Sequence, residues 1–101
     1  MTLTINVTQE HIDHGRQGSC RACPIAMAVT DLPDCGDAFV RRQLLTFKMG
    51  INRYIAELPA SAMEFIQLFD ASASRHVAPF SFSVDAKRDG GSAALERAVG
   101  A

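Results

Sequence analysis

At 101 residues the chain is long enough for one domain with a single core and too short for two. Hydrophobic residues at 48% and charged residues at 21% place it among globular chains and exclude wholesale disorder. Ten basic side chains against eleven acidic ones leave a formal net charge of −1, so no global field draws it to nucleic acid or an anionic membrane.

Leu3, Ile5 and Val7 alternate with Thr2, Thr4 and Asn6, the period of a half-buried strand. Thr8 can cap a short helix over Gln9–His14, with Glu10 in its first turn and a left-handed Gly15 ending it. Arg16, Gln17 and Gly18 then link to a second helix, capped by Ser19, covering residues 20–31 and stopped by Pro33. Ile25, Ala28, Val29 and Leu32 form its apolar stripe, and 100° per residue puts Cys20, Cys23 and Met27 on roughly the opposite side. Either both sides of that helix are covered, or the thiols face something functional.

After a turn through residues 33–37, the segments 39–48 and 51–58 read as two strands joined at Met49 and Gly50. That turn sets Leu45 opposite Tyr54, Leu44 opposite Ile55, and Arg42 opposite Glu57 as an ion pair. Leu45, Phe47, Tyr54, Ala56 and Leu58 share the core face. Pro59 suits the first turn of a third helix, Ser61 and Glu64 match a capping box, and Ala62, Phe65, Ile66 and Phe69 make its stripe. Residues 70–76 are read as a loop, and Pro79 opens a last strand that buries Phe80, Phe82 and Val84. Residues 1–85 thus form one domain and 86–101 a polar, frayed tail. The fold class is α+β, order β-α-α-β-β-α-β, with a four-stranded, largely antiparallel sheet packed by two to three helices.

Chemistry is concentrated between His11 and Cys35, which holds all three cysteines and two of the three histidines. Zinc takes about four N and S ligands, and Cys20, Cys23, His11 and His14 would supply them. Against this, strong zinc signatures separate their ligand pairs by a dozen or more residues, and only residues 15–19 lie between these. Redox exchange is the second reading, since a helix start next to Arg16 and Arg21 favours the thiolate; thioredoxin-like proteins, however, place such a pair after a strand in a βαβ unit. The third reading is packing: Cys20 and Cys23 as small apolar fillers, Cys35 as an incidental loop thiol, His11 as a core or rim residue. Packing is the reading adopted, with no cofactor; zinc and redox stand as alternatives.

The segments VTQEHIDH (7–14), CRACPIAMA (20–28), LPASAMEFIQLFD (58–70) and VAPFSFSV (77–84) resemble small proteins of unassigned function from actinobacteria and the bacteriophages that infect them. The shared pattern is a TQEHI helix, CxxCPxAxA, a variable hairpin, LPxxAxxFIxxFD and PFxF. It falls here on His11, Cys20, Cys23 and Pro24, and on Pro59, Phe65, Ile66, Phe69, Asp70, Pro79, Phe80 and Phe82. The resemblance implies a compact α+β fold and a phage or prophage origin, and it implies no activity.

No set of nucleophile, base and orienting group is apparent, so no catalytic residue is assigned and a non-enzymatic role is expected. Nucleic-acid binding would rest on Arg42, Lys48 and Arg53 on one hairpin face, but Glu57 neutralises part of it and no aromatic residue shares it. A mixed-charge solvated face is the better reading. No apolar run approaches the roughly 20 residues of a membrane helix, and the start lacks the regions of a signal peptide. The cytoplasm is therefore expected, that of the host if the gene is phage-borne. The expected partner is another protein, of a bacterial host in that case. An unpaired strand edge also allows self-association.

Overall fold

A computed structural model describes residues 1–72 and 77–89. The chain runs β1 (Thr2–Val7), α1 (Gln9–His14), α2 (Pro24–Thr30), β2 (Cys35–Arg41), β3 (Leu44–Met49), β4 (Asn52–Glu57), α3 (Ala60–Ser72), β5 (Phe80–Asp85) and β6 (Lys87–Arg88). The fold is α+β with antiparallel strands and three helices. The strands divide between two sheets: β1 pairs with β5, and β2-β3-β4-β6 form a four-stranded sheet. Ile5, Val7, Phe82 and Val84 from the first, Val40, Leu45, Phe47 and Ala56 from the second, and residues of all three helices meet in one core cluster.

Segment 39–48, read above as one strand, is a hairpin that turns at Arg42 and Gln43. The turn changes the alternation: Ala38 and Val40 point inward before it, Leu45 and Phe47 after it, so Phe39 goes to the outer face. In the next hairpin Met49 pairs with Asn52, so Gly50, at φ 65°, and Ile51 make the turn. A positive φ at the first central position alone, occupied by Gly, is the type II′ pattern. Leu45 accordingly faces Ala56 rather than Tyr54, and Leu44 faces Glu57. The slip is two residues, so the side chains of β3 and β4 keep their expected faces. Arg42 sits in the turn and does not oppose Glu57.

The helix expected over residues 20–31 begins only at Pro24. Proline lacks the N–H that would bond the carbonyl four residues back. That carbonyl, of Cys20, instead accepts from Val40 N at 2.8 Å and ties the loop to β2. Ser19 does cap, but a single turn, accepting from Ala22 N. Ile25, Ala28 and Val29 are buried as the stripe required; Pro24 and Ala26 are buried too, so α2 is covered on both sides. Gly15 is extended, at φ −70°, and not left-handed. Its role is close approach: a Cβ there would meet the Pro24 ring at 2.7 Å, so glycine lets the end of α1 rest on the start of α2.

Helix α3 starts one residue after Pro59, whose carbonyl accepts from Ala62 and Met63, so the Ser61–Glu64 box is not its cap. Ala62, Phe65 and Phe69 are buried, and Phe65 stacks on Phe80 of β5 at 4.8 Å between centroids. The helix continues to Ser72, past the expected end at Phe69. Gln17 donates to the Phe69 and Asp70 carbonyls and Gly18 N to the Asp70 carboxylate, which docks the loop after α1 on its last turns. The boundary expected after Asp85 is crossed in order: Ala86 is buried and Lys87–Arg88 pair with β4. His76 and residues 90–101 of the expected tail lie outside the described residues.

Candidate functional site

His11 is the most constrained of the residues singled out by sequence. It is 6% exposed, at the third position of α1, where a capping box usually carries Glu or Gln. Thr8 Oγ1 accepts from His11 N, and Thr8 N donates to His11 Nδ1 at 3.0 Å. A backbone N–H can only donate, so Nδ1 is the acceptor and the ring proton sits on Nε2. From there it donates to Asp31 Oδ2, at the C-terminal end of α2, at 2.5 Å. The hydroxyl, imidazole and carboxylate in sequence have the outward form of a hydrolytic triad. The hydroxyl, however, is held by the backbone it caps, and the assembly is a staple from the β1–α1 corner to the end of α2.

Cys23 is the N-cap of α2, its sulfur accepting from Ala26 N at 3.5 Å, and it belongs to the core cluster. Burial pushes its thiol pKa up, against the lowering effect of the Ala26 and Ile25 backbone groups. The thiol form is therefore favoured, the reverse of what an exchange nucleophile needs. Cys20 lies in the preceding turn, half-buried, and Cys35 opens β2, its thiol pKa raised by burial and then by Asp34. All three are free thiols. Cys20 and Cys23 line one small groove with Ile66, Asp70, Arg41 and Arg42. His14 is exposed at the end of α1. Among the described residues no group of three or more His, Cys, Asp or Glu side chains is placed to hold a metal ion, so His11, His14, Cys20 and Cys23 do not form one ligand set.

The outer face of the four-stranded sheet carries Lys48 and Arg53, as the hairpin reading expected, and adds Phe39 and Lys87, which that reading left out. One row across the strands is Phe39, Thr46, Ile55 and Lys87, and the next is Arg41, Leu44 and Glu57. Leu44 is 41% exposed, while Phe39 and Ile55 are half-buried. Two adjoining depressions follow these rows: one of about 320 Å³ lined by Phe39, Arg41, Arg42, Leu44 and Thr46, the other of about 500 Å³ lined by Leu44, Ile55, Glu57, Asp85 and Lys87. The expectation that no aromatic residue shares the face with Lys48 and Arg53 is thus overturned by Phe39, for the parity reason given above.

A bulge in β2 between Gly36 and Phe39 fixes one polar knot on this face. Asp37, at φ 50°, aims its carboxylate between Arg21, at 2.8 Å, and Arg53, at 2.9 Å. Its two arginines, Arg53 first, hold its pKa below the ordinary value. Arg53 also reaches Thr46, and Arg21 lies over the Phe39 ring at 5.1 Å. The sequence signal for this knot was weak: Asp37 stood at the end of a turn-forming run, and only its left-handed backbone turns the carboxylate onto the face. Arg41, Arg42, Lys48 and Lys87 are exposed and belong to no ion pair among the described residues. No helix of the described residues is long and apolar enough to cross a membrane. Compared with protein families, curated proteins and solved structures, the chain matches none of them.

Proposed function

We propose that this chain is a non-enzymatic protein-interaction module, of the kind suited to a phage or prophage gene and acting in the cytoplasm of a bacterial host. The observation that carries this reading is the outer sheet face, where Phe39, Leu44 and Ile55 form an apolar centre within a polar, cationic surround. Interfaces have that anatomy, an apolar centre inside a polar rim. The histidine and thiol segment supports the same reading from the other side. His11 spends Nδ1 on a backbone N–H and Nε2 on Asp31, and Cys23 is a buried helix cap whose thiol form is favoured, which supports a structural role for both.

The experiment is affinity capture from host cells, with wild-type chain and a Leu44→Thr, Ile55→Thr variant as paired baits. A protein retained by the first and lost by the second supports the reading, and identical capture by both counts against it. Zinc analysis and thiol counting on the same preparation test the alternative. One equivalent of zinc, released together with new reactive thiols, would move Cys20 and Cys23 from packing to a metal site.

A further inference from the structure

We propose that the outer face of the four-stranded sheet recognises a short acidic segment of a partner protein carrying two or three apolar side chains, an inference that rests on the interaction-module reading above. The apolar centre sets the size of what it holds. Phe39 and Ile55 lie two strands apart, about 10 Å, and Leu44 is two residues along the strand from Thr46, about 7 Å. That area accepts two or three side chains, which one extended or helical segment presents on one face.

Charge sets the rest. The chain as a whole is formally −1, yet Arg41, Arg42, Lys48 and Lys87 stand around this centre unpaired among the described residues, while of the acidic groups beside it Glu57 stands in its rows and Asp85, at the edge of the larger depression, is paired with the Met1 ammonium. Asp37 is spent on Arg21 and Arg53. A partner bearing carboxylates meets complementary potential here. A second copy of the same face meets like charge, so self-association through it is disfavoured. A nucleic-acid strand would need free aromatic platforms; the face offers one ring, already covered by Arg21, and two aliphatic side chains.

The test pans a random twelve-residue peptide library on the immobilised full chain, then measures enriched peptides by fluorescence anisotropy, with twelve-residue oligothymidylate as a parallel probe. Enriched sequences should combine Asp or Glu with at least two apolar residues. Their affinity should fall about tenfold or more in Arg41→Glu, Lys48→Glu and in Leu44→Thr, Ile55→Thr, and several-fold between about 50 and 300 mM salt. Melting curves matching wild type show that both variants are folded. Enriched peptides that are neutral or basic, or acidic peptides indifferent to both variants, overturn the proposal while leaving the interaction-module reading standing. Oligothymidylate binding abolished by the charge reversals assigns the face to nucleic acid and overturns both. A library from which nothing is enriched counts against both as well.

Discussion

The segment from His11 to Cys35 and the outer face of the β2-β3-β4-β6 sheet invert the usual relation between residue type and availability. The first is rich in imidazole and thiol, but His11 spends both nitrogens on Thr8 and Asp31, and Cys23 is a buried cap. The second is made of residues ordinary for any sheet surface, but among the described residues it holds cations that belong to no ion pair and an apolar centre that is half-buried to exposed. Residue type alone does not mark a site, because buried polar groups take structural partners. In this chain His11 and Cys23 are engaged in architecture, and the face with exposed cations lies where no motif announced it.

The largest test of that contrast removes the support both regions share. Phe69 is 2% exposed and stacks with Phe65, which in turn stacks on Phe80. Phe69→Ala should lower stability by about 3 to 5 kcal/mol through lost burial and a cavity. A urea midpoint unchanged from wild type would show that α3 is not anchored through this ring.

Next in size are the changes that break the front segment itself. His11→Ala removes a buried ring and the acceptor of the Thr8 N–H, while the exposed Asp31 carboxylate turns to water, and should cost about 2 kcal/mol. Asp31→Ala, on the exposed side of the bridge, should cost about 1 kcal/mol or less. Gly15→Ala forces a Cβ against Pro24 and should cost about 1 to 3 kcal/mol, although its backbone angles suit alanine. A His11→Ala protein as stable as wild type, yet unable to bind its partner, would return His11 to the functional column and break the comparison.

The thiols give a finer measure. Cys23→Ala should cost about 1 to 2 kcal/mol, and Cys20→Ala, half-buried in a turn, roughly 0.5. Neither should affect partner binding. In the folded chain at pH 8, an aromatic disulfide reagent should label Cys20 before Cys35, and Cys23 only on unfolding. The pH dependence follows from the direction of the Cys23 shift. A thiol is neutral when protonated, and burial raises its folded pKa above the ordinary 9.0. Its stabilising effect is therefore full below that value and is lost as pH rises through the folded pKa, because the unfolded chain ionises first. Cys23→Ala should flatten the alkaline decline measured by thermal melting above pH 9.0, the ordinary thiol value; an unaltered slope would assign the decline to other groups.

Much of the core was legible in the sequence because periodicity reports burial. The β1 and β5 alternations and the α3 stripe fall on Ile5, Val7, Phe82, Val84, Ala62 and Phe69, all buried. Less visible were features set by single backbone angles. Arg42 and Asp37 adopt positive φ without being glycine, and those two residues break one expected strand and aim the carboxylate that gathers Arg21 and Arg53. Propensity gives no warning of a left-handed arginine. The division into two sheets was hidden for a different reason: β1 and β5 come from opposite ends of the described chain, and pairing across that distance leaves no local trace. The candidate face inherits both difficulties, since Phe39 reaches it only through the Arg42 turn.

Arg42 also supplies the smallest prediction, and the one most specific to the outer face. Its φ of 56° places Cβ in the crowded region that costs a non-glycine residue about 1 to 2 kcal/mol. Glycine at that position removes the strain but returns roughly 0.5 to 1 kcal/mol to the unfolded chain as backbone freedom. The difference predicts that Arg42→Gly raises stability by about 0.5 kcal/mol, read as a small upward shift in urea midpoint at constant slope. If the cationic rim is what meets an acidic partner, the same variant binds acidic peptides more weakly while melting at a higher temperature. Stability and binding then move in opposite directions at one residue, which separates strain kept for recognition from a turn that is merely tolerated. A variant that is both more stable and equally tight in binding would remove Arg42 from the interface and leave its backbone angle a feature of the hairpin alone.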